Sequence, residues 1–486
     1  MLAHQTPEPA LASRLSLPAV FLLSLLGYVL VALWFPLIPN VAQSPPADIR
    51  SFAPTLPGGL AFALLVTALF ALLIPAFRRV EQGAAGAHPL RSVLAGSLLL
   101  AVPLLFAYPI NATDIFRYVI RGRIASAYGQ SPFTVPATSF PADRFMPLAG
   151  EWASETSPYG PVWELVAAGL TAVSGDSLLA GVLLFKLLAL ACFLATAALL
   201  WSLLPEGRSR AAYTLLWAWN PALLLHFAVD GHNDALMILW LVLGYWLARR
   251  GRPALGFLVM FLAVLTKPIA VLVLPFFFVG IFRRMDDGRA RRQFAAVVGV
   301  LLLTWLAFLP WAETGGTLRT TFELAMRLVR EATGGAAFSP AVWLYMALDG
   351  RIPIDVIGYV AQGVFVAAAL WLFWLTYRGR SGLRGTADVL YAYVITALNF
   401  RIWYAAWPFA WLLLDVEDRR AAYRLRVGLW FLLTSQLSVV IYGHVRTHLF
   451  GGDHAPAHLI GVPFVFLLPW LLARLPFRVS GDENRV

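Results

Sequence analysis

The sequence predicts an all-α polytopic membrane protein, a bundle of about 12–14 transmembrane helices with interfacial helices in its large loops. Three observations carry that expectation. Hydrophobic residues make up 60% of the 486-residue chain and charged residues only 13%, whereas a soluble domain carries about a quarter charged residues. Apolar runs of roughly 20 residues recur from end to end, the length that crosses a bilayer as a helix. The hydrocarbon core offers no water to backbone amides, so such runs must close their hydrogen bonds internally. Finally, arginines gather in the short loops between the runs, the asymmetry that orients membrane helices. The net charge of +11 therefore reflects loop arginines, and no nucleic-acid partner is expected.

Taken in order, the candidate spans run over 17–39, 58–77, 91–110, 178–203, 211–230, 233–249, 253–266, 269–282, 294–312, 353–377, 386–400, 402–415, 426–444 and 457–473. The polar, proline-containing stretch Met1 to Arg14 precedes a first span that ends in Pro36 and Pro39 without a small-residue cleavage site, so it reads as a retained helix. The only cysteine, Cys192, lies inside a span, which leaves no intrachain disulfide and no reading of redox compartment.

Sidedness follows from the loops. Arg78/Arg79/Arg91, Arg208/Arg210, Arg249/Arg250/Arg252, Arg283 to Arg292, Arg378/Arg380/Arg384 and Arg419 to Arg426 fall on one side if both termini are cytoplasmic. A multi-pass protein of the bacterial plasma (inner) membrane is expected, with 111–177, 313–352 and 445–456 on the outer face. Two helix pairs are short, because 14 residues rise only about 21 Å against a core of roughly 30 Å. The pairs around Lys267-Pro268 and around Asn399-Phe400-Arg401 are thus expected to be shallow hairpins with polar tips. Segments 159–174 and 318–330 are apolar on one face and read as helices lying at the outer interface.

The chemistry concentrates after the third span, in Asn111-Ala-Thr-Asp114-Ile-Phe-Arg117-Tyr118 and then Arg121-Gly-Arg123. A carboxylate can take a proton from a sugar hydroxyl, and guanidiniums can hold a phosphate. Asp114 is the candidate general base, against the plainer reading of a helix-start carboxylate paired with Arg117 or Tyr118. Arg117, Arg121 and Arg123 break the positive-inside pattern and so invite an anionic partner, which ordinary lipid headgroups would also satisfy. Tyr159, at the tip of Ser157-Pro-Tyr-Gly-Pro161, can stack on a sugar or merely anchor the interfacial helix.

Gly231-His232-Asn233-Asp234 forms a tight turn whose side chains suit sugar hydroxyls, two ligands of a divalent cation, or simple helix capping. Lys267 and Lys186 are the only lysines among 37 basic residues, and both fall in apolar runs, where an ionisable group is costly. Lys267, at a hairpin tip, is the better phosphate ligand; Lys186 is close enough to a helix end to snorkel. Arg401 at the other tip is a second phosphate candidate. The final outer loop holds His444, Arg446, His448, Asp453, His454 and His458 without a metal-ligand spacing, and reads as a polar lid. No metal site and no certain cofactor follow, with a divalent cation left open. The N-x-T at Asn111 abuts the membrane and is discounted as a glycosylation acceptor.

Together, Asp114-Ile-Phe-Arg-Tyr, Gly122-Arg, Ser131-Pro-Phe133, Ser157-Pro-Tyr-Gly-Pro161, Asn220-Pro221, Gly231-His-Asn-Asp234 and Lys267-Pro268 resemble the bacterial GT-C glycosyltransferases. The resemblance is closest to the polyprenyl-phosphate-mannose-dependent mannosyltransferases that elongate lipid-linked mannans in actinobacteria, and spans about residues 90–285. It implies a GT-C-type bundle and a polyprenyl-phosphate sugar donor. It also implies an inverting transfer of a hexose, mannose by likeness, with Asp114 as the loop acid that acts as base. On this view 1–486 is one transmembrane domain. Residues 1–90 add an N-terminal helix pair, 91–285 form the family-like core with its outer loop 111–177, and 286–486 supply C-terminal helices. The adjacent second acid common in several GT-C branches is absent.

The expected mechanism has Lys267, Arg401 and Arg117 holding the donor phosphate, Asp114 accepting the proton, and Tyr118, Tyr159, His232, Asn233 and Asp234 orienting the sugars. The acceptor would be lipid-linked or a glycan, and membrane lipids are the remaining partners. Inversion also fits the lack of a second carboxylate placed for double displacement. Two rivals remain: a lipid-linked glycan polymerase or ligase, and a polytopic transporter, the latter disfavoured because no pseudo-symmetric halves are visible.

Overall fold

A computed structural model describes residues 15–44, 46–312, 338–416 and 419–474. They are all-α; the only extended pairing among them is an isolated bridge between Pro36 and Ala107. In chain order the helices are α1 (Leu17–Trp34), α2 (Leu56–Glu81), α3 (Pro89–Leu105), α4 (Asp114–Ser126), α5 (Pro161–Ser174), α6 (Leu178–Leu203), α7 (Arg208–Ala218), α8 (Asp234–Arg249) and α9 (Pro253–Thr266). They continue as α10 (Leu274–Phe282), α11 (Gly288–Ala312), α12 (Pro340–Ala347), α13 (Ile354–Tyr377), α14 (Gly382–Thr396), α15 (Ala406–Leu414), α16 (Arg419–Val440) and α17 (His454–Phe466). Among the described residues six helices are long and apolar enough to cross a membrane, and several shorter apolar ones, α3, α5 and α9 among them, pack with them. The expected interfacial helix at 318–330 lies outside the described residues.

Punctuation in the sequence sets the helix ends. Ser16, Thr55 and Ser177 cap α1, α2 and α6 by accepting from backbone amides three residues on. α9 stops at Thr266 because Pro268 disfavours helical geometry at Lys267. The apolar run 211–230 does not form one helix. Asn220 accepts from the amides of Ala222 and Leu223 and starts a new turn with Pro221 at its first position. A π-turn at Leu225–Val229 follows, and the extra residue it carries swings Asp230 to Asn233 toward α4.

α4 and α5 lie against each other at one end of the bundle, while α5 leaves Leu165 and Val173 more than 70% exposed on its other face. Such a face suits the edge of a bilayer. The loops rich in arginine gather at the opposite end: α8 begins at Asp234 and ends at Arg249, and α9 returns from Pro253 to Lys267. Lys186 does not snorkel but turns inward onto backbone carbonyls. Fully buried, its ammonium donates to the carbonyls of Leu105 (3.3 Å) and Ala107, closing the C-terminus of α3. The chain segment leading to α4 is thereby pinned.

Candidate active site

Asp114 opens α4, and Arg117, one turn later on the same face, donates to its Oδ1. His232 Nδ1 stands 3.6 Å from the other oxygen, Oδ2. Burial pushes the Asp114 carboxyl up, but the Arg117 guanidinium, with Lys267 and Arg401 further off, more than reverses this and holds it below the usual carboxylate range. It is therefore ionised at neutral pH. Burial drives His232 down to about 4, so a neutral imidazole faces the carboxylate.

A second acid–base pair lies beside the first. Asp234 begins α8, and Lys267 Nζ sits 2.9 Å from each of its oxygens. The Trp407 indole donates to the same carboxylate at 2.5 Å. Lys267 also lies 5.5 Å from the Tyr404 ring, 5.4 Å from Trp407 and 6.0 Å from Tyr159, a cage of aromatic faces that suits a cation. Trp403 stacks on His232 with ring centroids 4.0 Å apart. The two shallow-hairpin tips, Lys267 and Arg401–Tyr404, thus meet over one turn, His232 to Asp234.

The floor and rim of the site differ. Asp114, His232, Asn233 and Asp234 are each 6% exposed or less, whereas Arg117, Trp152, Tyr159, Lys267, Arg401 and Tyr404 are half-buried around them. Asn233 occupies the N-cap position of α8 yet makes no capping bond, and both polar atoms of its buried amide lack a partner. Neither ring nitrogen of His232 makes a hydrogen bond. Leaving such groups unsatisfied costs about 1–3 kcal/mol apiece, a cost that a water or a substrate hydroxyl would recover.

Two supports hold this arrangement. Gly160 donates to the carbonyl of Thr266 at 3.1 Å, and a Cβ there would fall 2.1 Å from the Leu265 oxygen. Only glycine lets the Tyr159 turn rest on the Lys267 hairpin. Ser157 donates to Glu164 and accepts from the Tyr159 amide (3.2 Å), fixing the tip. On the far side, buried Asp230 accepts from the amides of Ile110 (3.1 Å) and Asn111 (3.2 Å) and from the Asn111 side chain (2.8 Å). Gln436 donates to Asn111 at 3.0 Å. Asn111 is thus a structural anchor for the approach to Asp114.

The structure brings Asp114, Arg117, Tyr159, His232, Asn233, Asp234 and Lys267 together, with Arg401 close enough to act on the charge of Asp114. Tyr118 stands apart in kind. It is 1% exposed and packs edge-on against Tyr159 (5.5 Å) and Trp163 (4.8 Å), so it backs the rim from within the core. Lys267 and Asp234 engage each other as an ion pair. Sequence reasoning did not single out Trp152, whose ring lies 5.4 Å from Arg117, nor Trp407 and Asp230. The aromatic run Trp403-Tyr404 to Trp407, with rings recurring at helical spacing behind Arg401, was the one available signal.

The terminal-loop histidines serve packing: His444 and His448 bond the carbonyls of Ala53 (2.6 Å) and Pro54 (2.9 Å). Among the described residues no group of three metal-binding side chains converges on a point.

A family model described as alpha-(1->6)-mannopyranosyltransferase, N-terminal domain, matches residues 21–283. The chain is 27% identical over 370 residues to alpha-(1->6)-mannopyranosyltransferase A of Mycobacterium tuberculosis, covering 71% of this chain and 68% of that one. It is 28% identical over 203 residues to alpha-(1->6)-mannopyranosyltransferase A of Corynebacterium glutamicum, 41% of each chain. Alpha-(1->6)-mannopyranosyltransferase B of the same organism is 24% identical over 346 residues, 63% of this chain and 56% of the relative. No solved structure matches. The matched segment runs from α1 through the Asp114 helix and the His232 turn to the end of α10, and on that ground the chain belongs to the alpha-(1->6)-mannopyranosyltransferase family.

Proposed function

We propose that this chain is a membrane mannosyltransferase that moves the hexose of a polyprenyl-phosphate sugar to a lipid-linked or glycan acceptor, with Asp114 as general base. The observation that carries this reading is an ionised, nearly buried carboxylate facing His232, with Asn233 next to it in the chain, neither side chain making an internal hydrogen bond. A sugar presents hydroxyls that both donate and accept, which is what an unsatisfied amide and imidazole require. Nothing in a nucleotide-free lipid phosphate donor calls for a dinucleotide-binding sheet, and the all-α site has none.

In the proposed reaction the acceptor hydroxyl gives its proton to Asp114 Oδ2 as its oxygen bonds the anomeric carbon. The bond from that carbon to the phosphate oxygen breaks, and its electron pair leaves with the lipid phosphate. Arg117 and Arg401 on the rim hold the phosphate, with Lys267 adding positive potential from behind its pair with Asp234. When phosphate draws Arg117 away from Asp114, the carboxylate loses its strongest neutralising partner and gains basicity, so donor binding arms the base. His232, Asn233 and Tyr159 orient the sugars, and Tyr118 and Asp234 keep their supports in place. With Asp234 committed to Lys267 and Trp407, Asp114 is the one carboxylate left to act, and the transfer is inverting. The arginine-rich loops would face the cytoplasm with both termini, putting this site on the outer side of a bacterial plasma membrane.

Replacing Asp114 by Asn in the full-length protein tests the base. The expected result is loss of transfer from a radiolabelled polyprenyl-phosphate mannose, with donor still bound by the purified variant. Undiminished transfer sinks the assignment.

A further inference from the structure

At the end of the bundle away from Asp114 lies a cavity of about 500 Å³ between α8, α9, α10, α13 and α14. Its floor is apolar: Phe276, Phe277 and Ile281 line it and are all buried. Its mouth is ringed by Arg249, Arg283, Arg284 and Arg380. Two of these are already engaged. Arg283 donates to the carbonyls of Thr376 (3.4 Å) and Tyr377 at the end of α13, and Arg380 pairs with Asp388. Arg249 and Arg284 are exposed, and their side chains have no hydrogen bond or ion pair among the described residues.

Asp286 and Asp287 also reach the mouth, and Asp287 spends one oxygen on the Arg289 amide at 2.8 Å. They do not balance the region. Segments 249–252, 283–292 and 378–384 together hold eleven arginines and two aspartates. Arginines at one end of a helix bundle follow from membrane insertion alone. An apolar hollow opening between membrane helices directly beneath them does not, and it matches a molecule with an anionic head and a hydrocarbon tail.

We propose that this cavity binds an anionic phospholipid, its phosphodiester between Arg249 and Arg284 and an acyl chain against Phe276 and Ile281. The site is separate from the reaction centre, because the 16 residues of α8 place about 24 Å between its two ends. The lipid would join the short α9–α10 hairpin, whose tip carries Lys267, to α13 and α14, filling the gap between them.

Native mass spectrometry of the full-length protein, with phosphatidylglycerol as the probe, tests this. Wild type should retain the lipid, and the Arg249→Ala/Arg284→Ala double variant should lose it by about tenfold or more, the loss expected for two charge-assisted contacts. Arg289→Ala/Arg292→Ala, on the same surface but outside the lining, should bind as wild type does. Phosphatidylcholine should not compete, and inorganic phosphate should not displace the lipid. Equal retention by the Arg249/Arg284 variant overturns the proposal, as does equal loss in both double variants. Equal binding of phosphatidylcholine would mean the head charge is not read, and displacement by phosphate alone would make the ligand a free anion; either outcome also overturns it. A photoreactive phosphatidylglycerol on wild type gives an answer independent of any variant: label must fall within 245–253, 276–290 or 376–383, and label confined elsewhere refutes the site.

Discussion

Asp415 and Asn233 are about equally buried, at 4% and 2% exposure, at opposite ends of the bundle. Asp415 accepts from Arg384 Nε at 3.0 Å and Arg424 Nη1 at 2.7 Å, and Arg424 also reaches Asp388, which Arg380 completes. Every oxygen of that carboxylate is used. Asn233 uses neither of its polar atoms, although asparagine ranks with serine and aspartate among the side chains that cap a helix start. A buried polar group that is paired internally serves the fold. One left unpaired at the same depth by the fold can take a partner from outside it, a water or a substrate hydroxyl.

That contrast can be broken by mutation. The largest expected effect is at the carboxylate itself: Asp114→Asn should lower kcat by about 10²–10⁴, the range for a lost general base, with the thermal midpoint little changed. Asp415→Asn should do the reverse. Removing one side of a buried ion network costs roughly 3–5 kcal/mol, so unfolding should shift sharply downward while turnover per folded molecule holds. If Asp415→Asn instead abolishes turnover with stability intact, the division between the two ends fails.

Gly160→Ala comes next. The added Cβ must displace the Leu265 carbonyl, which moves the Tyr159 rim away from Lys267; KM for the donor should rise with a smaller change in kcat. Asn233→Leu sharpens the comparison from the other side, since it removes two unsatisfied atoms without creating new ones. Stability should stay level or increase by about 1 kcal/mol as transfer falls, whereas a drop in both would show that Asn233 is structural after all.

The smallest expected effect is on pH dependence. His232 is held near 4 in the folded protein against 6.5 ordinarily, so on acidification the unfolded chain takes up its proton first. Stability should therefore rise with pH across that window and be progressively lost as pH falls from about 6.5 toward about 4. His232→Gln should flatten this part of the profile in a thermal-shift series. Asp114 is depressed instead, so in the donor-free protein its ionised form persists below the usual carboxylate range, and the acid limb of kcat/KM, which reports that state, should lie lower than a free carboxylate would give.

Much of the helix layout was legible because apolar runs in lipid have only one way to satisfy their backbones. The reading 178–203 and 253–266 coincides with α6 and α9, whose limits are a serine cap and a proline, both local signals. The run 211–230 was read as continuous and is not, since Asn220-Pro221 is a helix start inside an apolar stretch and hydropathy is blind to it. At the site, Asp114 with Arg117 is legible at helical spacing. The pairing of Lys267 with Asp234 spans 33 residues and that of Trp407 with Asp234 spans 173; no periodicity reports such partners. Lys186 shows the same limit, because a lysine in an apolar run looks alike whether it meets a substrate or the end of a neighbouring helix.

α9 has 14 residues, and a helix of that length rises about 21 Å, some 9 Å less than a hydrocarbon core. Under the proposed function, the Lys267 tip it carries would stop short of bulk water, at the depth of a lipid-borne donor's head. A catalyst placed at that depth meets its donor by lateral diffusion in a sheet, not by capture from solution. Its rate should then follow the surface density of donor in the bilayer: diluting vesicles at fixed lipid composition should leave turnover unchanged, while diluting the donor among other lipids should slow it in proportion.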